Sequence, residues 1–98
     1  MFNGIYVQIE DIKNALTQEL SNLSTEVIAL KRDLKKLEKT RLSMLELALD
    51  TLETETTINT YNSILEENML RITKAKKLIN KMEQFLSVIS SENKEEGQ

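Results

Sequence analysis

The side chains with the clearest potential for chemistry are basic, and they are concentrated in two windows. Eleven of the thirteen lysines and arginines lie in residues 31–41 and 71–81. Clusters of this kind can hold the phosphates of nucleic acid or another polyanion by electrostatics and counterion release. The candidate polyanion-binding residues are Lys31, Arg32, Lys35, Lys36, Lys39, Arg71, Lys74, Lys77 and Lys81.

A hairpin that turned near residue 56 would bring these windows side by side in one basic band. Two features weigh against polyanion binding by that band. Neither window contains an aromatic residue on which bases could stack, and the net charge of −3 gives no general attraction to nucleic acid. The favoured interpretation is a solvated helix face, or one that pairs with the acidic end of another copy.

Few residues in the chain could support catalysis. The chain contains no histidine and no cysteine, which excludes zinc sites of thiolate or imidazole and nucleophilic sites that need either residue. The absence of cysteine also excludes disulfides. Acidic clusters such as Glu66 with Glu67, or Glu92 with Glu95 and Glu96, stand without a histidine beside them. We therefore predict no enzyme activity, no metal and no cofactor.

The elements that must position these side chains are helices, because proline is absent and the only glycines are Gly4 and Gly97. Apolar residues recur in alternating steps of three and four, which aligns them in one stripe only on an α-helix. This spacing predicts an association seam. Its members are Leu16, Leu20, Leu23, Val27, Leu30, Leu34, Leu37 and Met44, followed by Ile58, Tyr61, Leu65, Asn68, Ile72, Ala75, Ile79, Met82, Leu86 and Ile89.

Three polar residues interrupt this seam. Lys13 and Arg41 occupy seam positions and are expected to extend along their stems toward water. Asn68 is the one polar residue between Ile58 and Ile89 on the seam. A buried asparagine in a coiled coil lowers stability and fixes the register, because a slipped pairing leaves its amide unsatisfied. A solvated position near a helix end is the alternative.

The pattern predicts an all-α fold, a long antiparallel helical hairpin or coiled coil that assembles into a helical bundle. We expect a turn at 1–4, a first helix at 5–53, a threonine- and asparagine-rich connection at 54–60, a shorter second helix at 61–90 and a flexible polar tail at 91–98. A continuous helix stays open, because the connection contains neither glycine nor proline. Charge pairing does not decide between parallel and antiparallel association.

Apolar residues beside the seam widen the face of the second helix. Ile64, Leu78 and Phe85 lie along one edge and Met69 along the other. Another broad apolar face lies around residues 42–52. Because one packed helix would leave part of these faces in water, we expect three or more helices in the assembled state.

These patterns favour a scaffold, an adaptor or a helical chaperone that forms a homodimer or homotetramer, captures a partner helix, or does both. One alternative is a module in which the two basic windows bind nucleic acid or another polyanion. Another is an obligate subunit of a secretion-related or viral complex. No signal peptide or membrane-spanning run is found, so we expect no membrane insertion and a cytoplasmic protein, with export by a signal-less route left open.

Overall fold

The computed structural model describes the backbone of residues 2–96 and the side chains of residues 4–90. Two helices, α1 (Phe2–Glu46) and α2 (Leu52–Glu96), pack against each other as a hairpin. No strand occurs within residues 2–96, so the prediction of an all-α hairpin is confirmed. Both helices contain 45 residues, whereas the sequence predicted a long first arm and a shorter second one.

The connection lies at residues 47–51, and its predicted position at 54–60 was wrong. At the end of α1, the Leu49 N–H donates to the Met44 carbonyl (2.8 Å) and the Ala48 N–H donates to the Leu45 carbonyl (3.0 Å). This pair of hydrogen bonds is the Schellman motif, whose C′ residue is left-handed and usually glycine. Ala48 occupies that position with φ 56°. The helix therefore stops at an alanine.

The start of α2 is set by local polar groups. The Leu52 N–H donates to Asp50 Oδ1 (3.0 Å), and the Glu55 N–H donates to the Thr51 carbonyl (2.8 Å). Glu53 and Glu55 lie in the first turn, where carboxylates complement the helix dipole. Asp50 thus directs the chain into α2 before the threonine-rich stretch begins.

The threonine-rich stretch is helical, and three of its hydroxyls bond to the helix itself. The hydroxyls of Thr56, Thr57 and Thr60 each donate to the backbone carbonyl four residues earlier, at 2.9 to 3.0 Å. Threonine has a low helix propensity, but the penalty is only a few tenths of a kcal/mol to about 0.7 kcal/mol per residue. Packing of the neighbouring apolar residues is sufficient to offset it.

The predicted boundaries at both ends also differ from the structure. Residues 2–4 belong to α1, so no N-terminal turn occupies them, and residues 91–96 continue α2 where a flexible tail was predicted. The absence of proline and of any glycine between Gly4 and Gly97 explains why neither helix stops earlier. Met1 and residues 97–98 lie outside the described residues.

The hairpin divides into two packed units. The loop unit is Leu23–Arg71, and the terminal unit combines α1 up to Asn22 with α2 from Ile72 onward. The buried apolar residues of the loop unit are Leu23, Val27 and Ile58, and those of the terminal unit are Ala75, Leu86 and Ile89. No large side chain among residues 4–90 is completely buried, so each unit has only a thin core.

Candidate functional site

The seam residues predicted from the sequence lie between α1 and α2 of one chain. Each of the eighteen is buried or half-buried within its own unit. From Ile58 to Ile89, no other residue of α2 is buried or half-buried. The seam is therefore used inside the hairpin, and a partner would need a different surface.

The two charged seam residues reach carboxylates on the opposite helix. In the terminal unit, Lys13 Nζ lies 3.6 Å from Glu83 Oε1. In the loop unit, Arg41 Nη2 lies 3.2 Å from Glu38 Oε2, and its Nη1 lies 3.8 Å from Glu55 Oε1. These contacts satisfy charges that the sequence placed at weak points of the seam, and they pair α1 with α2.

The polar seam residue Asn68 is 6% exposed. Its Nδ2 donates to Glu26 Oε2 across the loop unit at 3.0 Å. Residues 26 and 68 are equally far along the chain from residue 47. Residues 41 and 55 are equally far from residue 48. The amide is therefore buried and paired across the two helices, and its role in fixing the register stays a prediction.

The two basic windows do not form the single band that a turn near residue 56 would create. With the turn at 47–51, the α2 residues opposite 31–41 lie near 55–65, and Arg41 accordingly meets Glu55. The α1 residues opposite 74–81 lie near 15–22, as the Lys13–Glu83 pair of the terminal unit indicates. The prediction of one joined band was wrong, because the turn lies about seven residues earlier than expected.

The basic side chains themselves are exposed on the helix surface. The exposed candidates are Lys31, Arg32, Lys35, Lys36, Lys39, Arg71, Lys74, Lys77 and Lys81. Arg32 lies 3.7 Å from Asp33, and Arg71 lies 3.3 Å from Glu67. These arginines are partly neutralised by acids on their own helix.

One open groove of the loop unit has a volume of about 470 Å³ beside the first basic window. Its apolar floor is formed by Leu34 and Ile58. The remaining lining residues are Lys31, Lys35, Lys39, Glu38 and Asn62. The groove combines a shallow apolar floor with mobile lysine stems and one carboxylate, which is a typical solvated edge of a coiled coil.

The exposed apolar side chains are more unusual than the charged ones. Among residues 4–90, fifteen large apolar side chains are exposed. Five surround the connection in the loop unit, and Leu47 is the most exposed at 71%. This leucine cluster consists of Leu42, Leu45, Leu47, Leu49 and Leu52.

A second group lies in the terminal unit and follows one edge of the seam. This apolar edge consists of Ile5, Ile12, Leu78, Phe85 and Val88. The sequence places Leu78 and Phe85 beside the seam and gives Ile5 and Ile12 the spacing of an apolar helix face, whereas Val88 was not predicted from it. Extending the heptad frame of the first helix back to residue 5 places Ile5 and Ile12 at equivalent positions one heptad apart.

Within the described side chains, no group of three or more acidic residues is placed to hold a metal ion. Glu92, Glu95 and Glu96 lie outside those side chains. In the part of the chain that the structure describes, neither helix contains an apolar stretch that could cross a bilayer.

Comparisons with protein-family models, with curated proteins and with solved structures find no match to this chain.

Proposed function

We propose that this protein is a non-enzymatic helical interaction protein, a scaffold or adaptor that packs the outer surfaces of its hairpin against other helices. The observation that supports the proposal is the division of the apolar residues between the buried seam and the exposed surface. The seam is filled within one chain, yet fifteen large apolar side chains among residues 4–90 stay exposed.

The size of the exposed apolar surface gives the proposal its energetic basis. A large side chain that is half exposed offers about 100 Å² of surface, taking half of the 150–250 Å² typical of aromatic residues. At about 25 cal/mol per Å², its burial is worth about 2.5 kcal/mol before entropy is subtracted. Five such side chains on one surface would contribute about 12 kcal/mol toward an association cost of about 4–15 kcal/mol, so they supply the main favourable contribution to binding a partner.

The form of the surface favours helical partners. Ile5 and Ile12 are seven residues apart, and so are Leu78 and Phe85. Rows with this spacing fit the ridges and grooves of another helix. A second copy, or a helix of another protein, has the matching shape.

The polyanion alternative lacks the joined band on which it depended, and we do not propose it. The obligate-subunit alternative shares the same surfaces and differs only in the partner. It requires that the purified chain be poorly helical alone and become helical when the partner is added.

Sedimentation velocity combined with circular dichroism over a concentration series tests the proposed function. We expect a strongly helical chain whose mass rises above that of the monomer at micromolar concentration, or a monomer that binds a helical protein. A helical monomer that binds no helical partner at any concentration would contradict the proposal.

A further inference from the structure

Four of the five residues of the apolar edge share one heptad position. In a heptad, positions e and g flank the seam on opposite edges, and the g rows of two antiparallel helices lie side by side. Glu83, which meets Lys13, is at e. The residues Leu78 and Phe85 of α2 are at g, as are Ile5 and Ile12 of α1. These four side chains are between 44% and 51% exposed.

In the loop unit, the g rows of the two helices also lie side by side, along one groove. Glu26 and Asp33 of α1 line it together with Ile64 of α2. All three are g positions, but two of them are acidic there. Within residues 4–22 and 72–90 of the terminal unit, the g positions are Ile5, Ile12 and Glu19 of α1 and Leu78 and Phe85 of α2, so four of the five are apolar. The edge formed by the g rows is therefore more apolar in the terminal unit than in the loop unit.

The two helical segments of the terminal unit carry opposite charge. The α1 segment, residues 4–22, contains three acids and one lysine, and its net charge is −2. The α2 segment, residues 72–96, contains five lysines and four glutamates, and its net charge is +1, with four of the lysines within residues 74–81. An acidic α1 segment thus lies beside an α2 segment whose basic residues are concentrated at 74–81.

This arrangement selects one orientation for a second copy. If the twofold axis runs parallel to the helices, the acidic α1 segment of each copy faces the basic α2 segment of the other. Facing helices are then antiparallel, which also suits their dipoles. An axis perpendicular to the helices would instead place acidic segments against each other and basic segments against each other.

From this surface and charge pattern we infer that a second copy of this chain covers the apolar edge, forming a four-helix bundle of the two terminal units about a twofold axis parallel to the helices. The inference rests on the proposed function and specifies its partner and surface. Five half-exposed side chains give about 500 Å² per copy. The total of about 1,000 Å² lies at the lower limit for a specific protein interface, as expected of a dimer that dissociates on dilution.

The first test removes the apolar edge without touching the seam. In the double variant Leu78→Gln and Phe85→Gln, we expect the dimer dissociation constant to rise at least a hundredfold, while the helical circular dichroism signal is unchanged. The matched control is Ile28→Gln with Leu70→Gln, which removes two exposed apolar side chains from the loop unit. The control should leave the dimer dissociation constant within about threefold of wild type.

The second test determines the orientation. The natural chain has no cysteine, so single cysteines can be introduced freely. Ala15 and Lys81 are exposed, flank the apolar edge, and lie equally far along the chain from Ala48. When the Ala15→Cys and Lys81→Cys chains are mixed and treated with a short bis-maleimide, we expect 15–81 links between chains. The control pair Asn14→Cys and Asn80→Cys, on the opposite edge, should link poorly.

The outcomes separate this inference from the proposed function. A wild-type oligomer that is unchanged by Leu78→Gln with Phe85→Gln, or that forms 15–15 links in preference to 15–81 links, overturns the inference and leaves the proposed function standing. A helical wild-type monomer overturns the inference too. If that monomer also binds no helical partner, the proposed function fails with it.

Discussion

Replacing Ala48 by glycine should stabilise the hairpin. Ala48 has φ 56°, at the C′ position of the Schellman motif that ends α1. A left-handed backbone costs a residue with a Cβ atom about 1–2 kcal/mol, and glycine avoids this cost. Glycine in turn loses about 0.5–1 kcal/mol more conformational entropy on folding than alanine. Ala48→Gly should therefore raise the free energy of unfolding by about 0.5–1 kcal/mol.

Ala29→Gly is the matched control, because it makes the same chemical change in the same unit. Ala29 lies inside α1, where glycine costs about 1 kcal/mol relative to alanine. The two variants should therefore shift stability in opposite directions. In a chain of this size, a change of 1 kcal/mol moves the melting temperature by about 4–8 °C.

Thermal and urea unfolding followed by circular dichroism would measure both effects. All proteins must be compared at one chain concentration, because association shifts the apparent stability. If Ala48→Gly unfolds at a lower temperature than wild type, or is destabilised as much as Ala29→Gly, then the turn is not at residues 47–51 and the pairing of the helices described here is wrong.

Three further substitutions test the seam and the outer surface. Asn68→Leu should raise the free energy of unfolding by about 1 kcal/mol and broaden the oligomer distribution, because an apolar side chain replaces a register-fixing amide and the exposed Glu26 returns to water. Urea unfolding would measure the stability and sedimentation the oligomer distribution. A lower stability with a single sharp species would contradict the register role. Lys13→Met should change the free energy of unfolding by no more than about 1 kcal/mol, because its ion pair with Glu83 is partly exposed and methionine keeps the apolar stem. A larger loss in urea unfolding would show that the pair matters more than its exposure suggests. Leu47→Gln with Leu52→Gln should leave the free energy of unfolding within about 0.5 kcal/mol of wild type, since both leucines are more than half exposed. A larger loss in urea unfolding would mean that the leucine cluster packs within the hairpin.

The sequence was most informative where the heptad spacing was strict. The alternating steps from Ile58 to Ile89 coincide with the buried and half-buried positions of α2 in both units. Each helix needs an apolar stripe of this spacing to pack against one partner, so the pattern and the burial have the same physical cause. The burial of Asn68 could also be expected from its place on the seam, although its acceptor Glu26 could not.

The position of the turn could not be read from the sequence, for two local reasons. The C′ residue is Ala48, so the glycine that normally marks a helix end is missing. The threonines that resembled a connection bond to their own helix instead. The helices pair about residue 47 or 48 and not about residue 56, and this error of about eight residues became about sixteen in the pairing and separated the basic windows.

The outer surface was only partly predictable. The wide face of α2 was visible as Leu78 and Phe85 beside the seam. Its continuation onto Ile5 and Ile12 required the pairing of the two helices, which depends on the turn. Surfaces built from two helices are therefore harder to infer than the stripe on either one.

Sedimentation equilibrium of the purified chain over a concentration series, with helicity measured on the same samples, tests most directly whether the exposed apolar surface serves association. The account predicts a helical species with twice the 11.3 kDa chain mass that dissociates on dilution and is weakened by Leu78→Gln with Phe85→Gln. A fully helical species of 11.3 kDa at every concentration, with no uptake of a helical partner, would contradict it.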